Sequence, residues 1–362
     1  MSDDETQQIA NAVRALAAGY SFALIRKAGE ADTLFVCDDH SGREPLSGTR
    51  FVACPWPCTK GVVTVRDMVR GSEIPDCGRL PELPLAAESS TDRGDYLQKV
   101  AGLVDELKST GGKTVISRVI NGRADSGNDA DSDNGAGNAG DAIARMTQRC
   151  FDRYGGQATC CLMYTPQTGC WLMATPELLL HADAGGVSTV ALAGTRPSDG
   201  DSNRPWDQKN EREQQIVTDH IVGVLRDRGL EPHTGVTHTL TAGPVEHICT
   251  PVTAGVTADP LALCMALAPT PAVCGQPTDV SLRRIMAIEQ HDRGLYGGFA
   301  GITNGASLDA FVVLRCARLA DGGRFSIYIG GGITALSDPE AEWNETQAKA
   351  DTMLELSKCS IN

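Results

Sequence analysis

Aromatic residues make up only 5% of these 362 residues, and lysine and arginine form no clustered run. The formal net charge is −14. Phosphate backbones are gripped by grouped cations that displace counterions, so nucleic acid is excluded as a partner, and an anionic membrane surface with it. No apolar run approaches the ~20 residues a bilayer needs. The opening Met1-Ser2-Asp3-Asp4-Glu5 lacks the positive charge of a signal or transit peptide, so a soluble cytoplasmic protein is expected.

Disulfides and structural zinc are also missing as organising devices. Thirteen cysteines without a secretory leader read as reduced thiols. Cys54 and Cys58 flank Pro-Trp-Pro and Cys160-Cys161 are adjacent, but neither pair has a second Cys or His pair at zinc spacing. They read as small buried hydrophobes. There is no internal repeat and no linker long enough to divide the chain, so one domain over 1–362 is expected, with residues 1–94 its less diagnostic part.

What is present is an apolar fraction of 41%, enough for a sizeable core, punctuated by abundant glycine and alanine in the manner of an α/β architecture. Short strands are expected at Phe51–Cys54 and Gly61–Val65. Tyr96, Val100, Leu103, Val104 and Leu107 keep helical spacing, and the β-branched run Lys113–Ile120 reads as a strand. Asn121–Asp141 is rich in Asn, Asp, Gly and Ser. Its Asp129, Asp131 and Asp133 imitate a calcium loop, but Gly135 falls one position late and no Glu closes it, so a flexible surface insertion is expected. A helix over Asp141–Arg153 and strands at Thr159–Tyr164, Gly169–Ala174 and Gly186–Ala193 follow.

Asp207–Gly229 has the apolar stripe of a helix at Ile216, Val217, Ile221, Val224 and Leu225, and Glu213 lies beside that inward stripe. Further helices are expected at Leu261–Leu267 and Thr278–Glu289, and strands at Tyr296–Ile302 and Ala310–Arg318. The last strand, Phe325–Ile329, runs into a glycine turn, Gly330-Gly331-Gly332. Ser337 with Glu340 then forms a capping box, and Glu342, Glu345 and Lys349 fall on one helix face. That face is either an exposed Glu345–Lys349 ion pair or a metal carboxylate beside a substrate-binding cation. Spacing alone leaves both open.

Other element ends carry similar chemistry: Ala174-Thr-Pro-Glu177, Leu192-Ala-Gly-Thr195, Pro269–Gly275 and Arg293–Gly298. Taken in order with Lys113–Arg118, Arg212-Glu213 before Ile216-Val217, and Gly330–Lys349, the set over residues 95–358 resembles the chorismate-utilising family. That family includes isochorismate, salicylate, anthranilate and aminodeoxychorismate synthases. Pro-Thr-Pro-Ala-Val-Cys-Gly and the Lys113 strand look most like the isochorismate synthases. Ala268, Gln214 and Gly331 stand where the family usually has His, His and Ala.

The resemblance implies an α+β fold, a single large domain of two antiparallel-rich β-sheets layered with helices, usually monomeric. It implies Mg²⁺-dependent conversion of chorismate to isochorismate for siderophore or quinone synthesis, with salicylate formation as the neighbouring activity. A chorismate-binding paralogue of little activity is a third reading. Lys113 would be the general base, and Glu177 the general acid that holds its proton in a poorly solvated site. Glu213 and Glu345 would bind Mg²⁺. Arg315 and Tyr296 would take the enolpyruvyl carboxylate. Gly194, Thr195, His247, Gly332 and Lys349 would contact the substrate elsewhere.

Overall fold

Along strand Thr159–Thr165, Cys160, Leu162 and Tyr164 pack on a layer of helices, while Cys161 and Met163 face the opposite way. Its neighbour Gly169–Thr175 repeats the pattern, with Cys170, Leu172 and Ala174 on one side and Trp171 and Met173 on the other. Strands apolar on both faces must be covered on both. Helices Asp3–Ala17, Ala139–Tyr154 and Pro339–Ser357 cover the first face, and a second sheet covers the other. The computed structural model describes residues 3–59, 61–87, 89–124, 139–242 and 245–358.

Among the described residues the first sheet has eight strands and the second nine, and every pairing is antiparallel. The α+β expectation therefore stands, and the α/β impression drawn from glycine and alanine content does not. In the first sheet Lys113–Arg123 lies beside Arg324–Ile333. In the second, Leu178–Asp183, Gly186–Pro197 and Val245–Ala254 are neighbours, backed by helices Gln208–Asp227 and Pro260–Leu267. Helix Arg93–Thr110 packs across Lys113–Arg123 and Arg324–Ile333, setting Tyr96, Val100, Leu103, Val104 and Leu107 against Ile116 and Ile333. Among the described residues no helix is long and apolar enough to cross a membrane.

Several expected elements are corrected. Gly330-Gly331-Gly332 is not a turn, because strand Arg324–Ile333 runs through all three and pairs them with Ser117, Ile116 and Val115. Glycine is required there by close approach: a Cβ on Gly330 would lie 2.8 Å from Ile116 O and from Tyr296 Oη. Ala310–Arg318 is two strands, Leu308–Val312 in the second sheet and Cys316–Leu319 in the first. Tyr296 sits in a turn, and its strand begins at Phe299. Asp338, not Ser337, caps the last helix by accepting from Ala341 N–H. Strand Lys113–Arg123 and helix Ala139–Tyr154 reach into both ends of the expected insertion, whose residues 125–138 lie outside the described residues.

Candidate functional site

The chain crosses between the sheets twice at one place. Thr175 ends a first-sheet strand and Leu178 begins a second-sheet strand, while Val312 and Cys316 bracket the return. The crossings are bonded side by side. Val312 N–H donates to Glu177 O at 3.0 Å, Ala174 N–H to Arg315 O at 3.1 Å, and Thr175 Oγ1 to Val312 O at 2.7 Å. Arg315 adopts φ 43°, a left-handed conformation that only a well-determined surrounding structure holds in a non-glycine residue. One crossing thus delivers Glu177 and the other Arg315 to the same cleft.

That cleft, with about 710 Å³ of empty space including its mouth, is lined by Glu177, Gly194, Thr195, Glu213, His247, Tyr296, Arg315, Gly332 and Lys349. Val115, Leu192, Val273, Leu314 and Tyr328 add apolar and aromatic wall. Tyr296 stacks on Tyr328 with centroids 5.9 Å apart. Two expected site residues stand just behind the wall. Lys113 is 1% exposed, with Nζ 2.5 Å from Glu213 Oε1. Glu345 is held by Lys349, Oε1 to Nζ 2.7 Å. Gly332 is the window onto Lys113, since a Cβ there would sit 2.3 Å from Glu213 Oε1 and 3.1 Å from Lys113 Nζ.

The electrostatics divide the carboxyls. Burial pushes Glu177 up to about 8, against the pull of Lys113 and Lys349, so it holds a proton at neutral pH. Burial also opposes ionisation of Glu345, but Lys349, Lys209 and Lys113 outweigh it and keep that carboxyl below its usual range. Glu342 is raised by burial and by Glu345, with Lys209 acting the other way. His247 is driven down to about 3 by burial, then by Arg315 and Lys349. Arg315 falls to about 10 through burial and remains a cation near neutrality.

Sequence reasoning missed several parts. Lys209 Nζ is 2.7 Å from Glu342 Oε1, and Glu342, Glu213 and Glu345 together raise its pKa despite burial. Asn210 accepts from Thr195 N–H at 3.0 Å, so that backbone donor is taken and Thr195 offers the cleft its hydroxyl. Asn210 keeps helical spacing with Gln214 and Val217 on the buried face, which is the signal that could have found it. Gln214 donates to Ala191 O and Thr250 Oγ1, at 2.8 and 2.9 Å. Arg293 pairs with Glu289 and donates to Val273 O and Val115 O, tying the Pro269–Gly275 segment to the Lys113 strand. Arg118 lies 3.9 Å over the Trp343 ring and bonds Thr346 and Gln347, fastening the last helix.

The donor set suits a hard divalent cation. Glu213 and Glu345 offer carboxylate oxygens, each held beside a lysine ammonium. Among the described residues no three His, Cys, Asp or Glu side chains enclose a metal by themselves. Two carboxylates suffice for Mg²⁺, which keeps several waters and completes its shell with substrate oxygens.

A family model described as chorismate binding enzyme matches residues 143–357. Isochorismate synthase EntC of Escherichia coli is 34% identical over 198 residues, 51% of this chain and 50% of that one, so the match spans about half of that relative's length. The MenF protein of Mycobacterium tuberculosis is 30% identical over 347 residues, 88% of this chain and 90% of that one. The solved structure of MenF, the menaquinone-specific isochorismate synthase from Escherichia coli, superposes with a TM-score of 0.73 at 20% identity, covering 96% of this chain and 91% of that one. A family match over more than half of the chain, joined by a relative alike along nearly its whole length, settles the membership: the protein belongs to the chorismate-binding enzyme family.

Proposed function

We propose that the chain is an isochorismate synthase. Water adds at C2 of chorismate, the ring double bonds shift, and the C4 hydroxyl departs as water after taking a proton, so the net change is isomerisation. Lys113 accepts the proton of the attacking water, which requires its Nζ to release both Glu213 and a proton. Glu177 donates to the leaving hydroxyl. Arg315 and Tyr296 hold the enolpyruvyl carboxylate, and the Arg fork suits such a planar group. Lys349, Gly194, Thr195, Gly332 and His247 shape the remaining contacts. Mg²⁺, held by Glu213 and Glu345, would supply positive charge against the substrate's ring carboxylate.

The observation that carries this reading is the placement of a buried carboxyl, Glu177, on one side of a cleft whose other side, at Gly332, backs onto Lys113; burial raises that carboxyl to about 8. Acid and base therefore reach the substrate from different sheets. The test is incubation with chorismate and Mg²⁺ followed by product separation. Isochorismate without pyruvate is expected. Equal amounts of pyruvate and salicylate would move the reading to a salicylate synthase, and no product at all would sink it. We also place the protein in the cytoplasm, which cell fractionation checks, and as a monomer, which size-exclusion with light scattering checks.

A further inference from the structure

His247 has a protonation state dictated by its neighbours. Nδ1 lies 2.9 Å from Gly194 O, which can only accept, so Nδ1 carries hydrogen. Nε2 lies 3.2 Å from Nη2 of Arg315, which can only donate, so Nε2 is bare. The ring is neutral and points its lone pair at the guanidinium. Thr195 Oγ1, 3.3 Å from Nδ1, fits as a second acceptor.

The carbonyl that fixes this ring is itself anchored. Gly194 adopts φ +69°, and a Cβ there would meet Asn210 Cβ at 3.2 Å. The following Thr195 N–H donates to Asn210 Oδ1. Asn210 is gripped by the helix cap Asp207, backbone N–H to Oδ1 and Nδ2 to Oδ2, both 2.8 Å. An unbroken chain of contacts therefore runs from Asp207 through Asn210, the Gly194-Thr195 backbone and His247 to Arg315. The charged groups acting on the imidazole are Arg315, Lys349 and Glu213.

We infer that His247 is a positioning residue for Arg315, a neutral acceptor that fixes the guanidinium fork for a substrate carboxylate and transfers no proton. Arginine is rich in rotamer entropy, and a guanidinium already held by an acceptor has less of it left to lose on binding. Only the identity of the carboxylate rests on the chorismate reading. The restraint on Arg315 does not.

Two measurements test it. Long-range ¹H–¹⁵N NMR of the free protein is expected to show His247 as the neutral Nδ1–H tautomer throughout about pH 5 to 8, with the Nε2 resonance moving in Arg315→Lys. An Nε2–H tautomer, or titration within that window, would overturn the inference whatever the substrate proves to be. In turnover, His247→Phe is expected to raise KM about tenfold with kcat within about threefold, because the carboxylate is held equally before and during reaction. His247→Gln, which offers one acceptor and one donor, recovers most of that loss. In an Arg315→Lys background the Phe substitution should have little further effect. A fall in kcat of about 10²-fold or more with KM unchanged would make His247 a proton-transfer group instead. If wild type turns over no chorismate, the proposed function fails, and the NMR arm still decides this inference.

Discussion

Lys113 Nζ and Glu213 Oε1 stand 2.5 Å apart, joining the first residue of a strand in one sheet to a helix that backs the other. The lysine side chain is 1% exposed and the glutamate 12%, so the pair is largely hidden from water. Removing one partner strands the other's charge.

Lys113→Met should therefore lower stability by about 3–5 kcal/mol in denaturant melts, and turnover by about 10²-fold or more. The double variant with Glu213→Gln should regain part of the stability and none of the turnover. Full activity in the single variant would remove Lys113 from the base role.

The Glu177 carboxyl is raised from 4.5 to about 8, so the folded protein holds a proton there that the unfolded chain has released. The stability this group contributes is complete below about pH 4.5 and is lost as pH rises towards 8. Glu177→Gln should accordingly match wild type near the acid end of that window and exceed it at the alkaline end. Its turnover should drop by about 10²–10⁴-fold. In wild type kcat should decline as pH passes about 8, and a profile flat through that region would contradict the acid assignment.

Neighbouring glycines should respond differently to one added methyl group. In Gly332→Ala the Cβ would fall 2.3 Å from Glu213 Oε1 and 2.5 Å from Lys113 Cε, two groups locked to each other. Crowding there should cost about 1–3 kcal/mol and most of the turnover. In Gly331→Ala the nearest atom is Glu342 Oε2 at 2.9 Å, on the far side of the strand, and activity should survive. Equal kinetic effects from both would show that the window onto Lys113 is immaterial.

Mg²⁺ should raise the melting temperature of wild type by mass action, and a chelator should reverse that and stop turnover. Glu345→Ala should abolish the metal-dependent rise while Lys349 and the fold remain. Undiminished turnover in chelator would exclude the cation.

The sheets and most helices were legible because alternation and helical spacing are local. Glu342, Glu345 and Lys349 share a face by spacing alone, and Lys349 does reach Glu345. The glycine run was misread because glycine signals a turn unless something presses close, and what presses here comes from Ile116, Tyr296, Lys113 and Glu213. The break at Arg315 was hidden inside an apolar run with no turn residue. Lys209 could not be assigned to Glu342, 133 residues away, from either local pattern. Lys113 also falls before the stretch 143–357 that the family model matches, yet its strand pairs along the Gly330–Gly332 segment.

The paired crossings make the layer between the sheets a spacer. Glu177, Thr195 and His247 hang from one sheet or its edge, and Lys113 and Gly332 from the other. The return link, Val313 to Arg315, is only three residues long, which limits how far the sheets can part there. Trp171, Met163 and Met173 fill that layer without lining the cleft. Their bulk sets the spacing at which Glu177 and Lys113 stand either side of the cleft, so its width is written in side chains that do not line it.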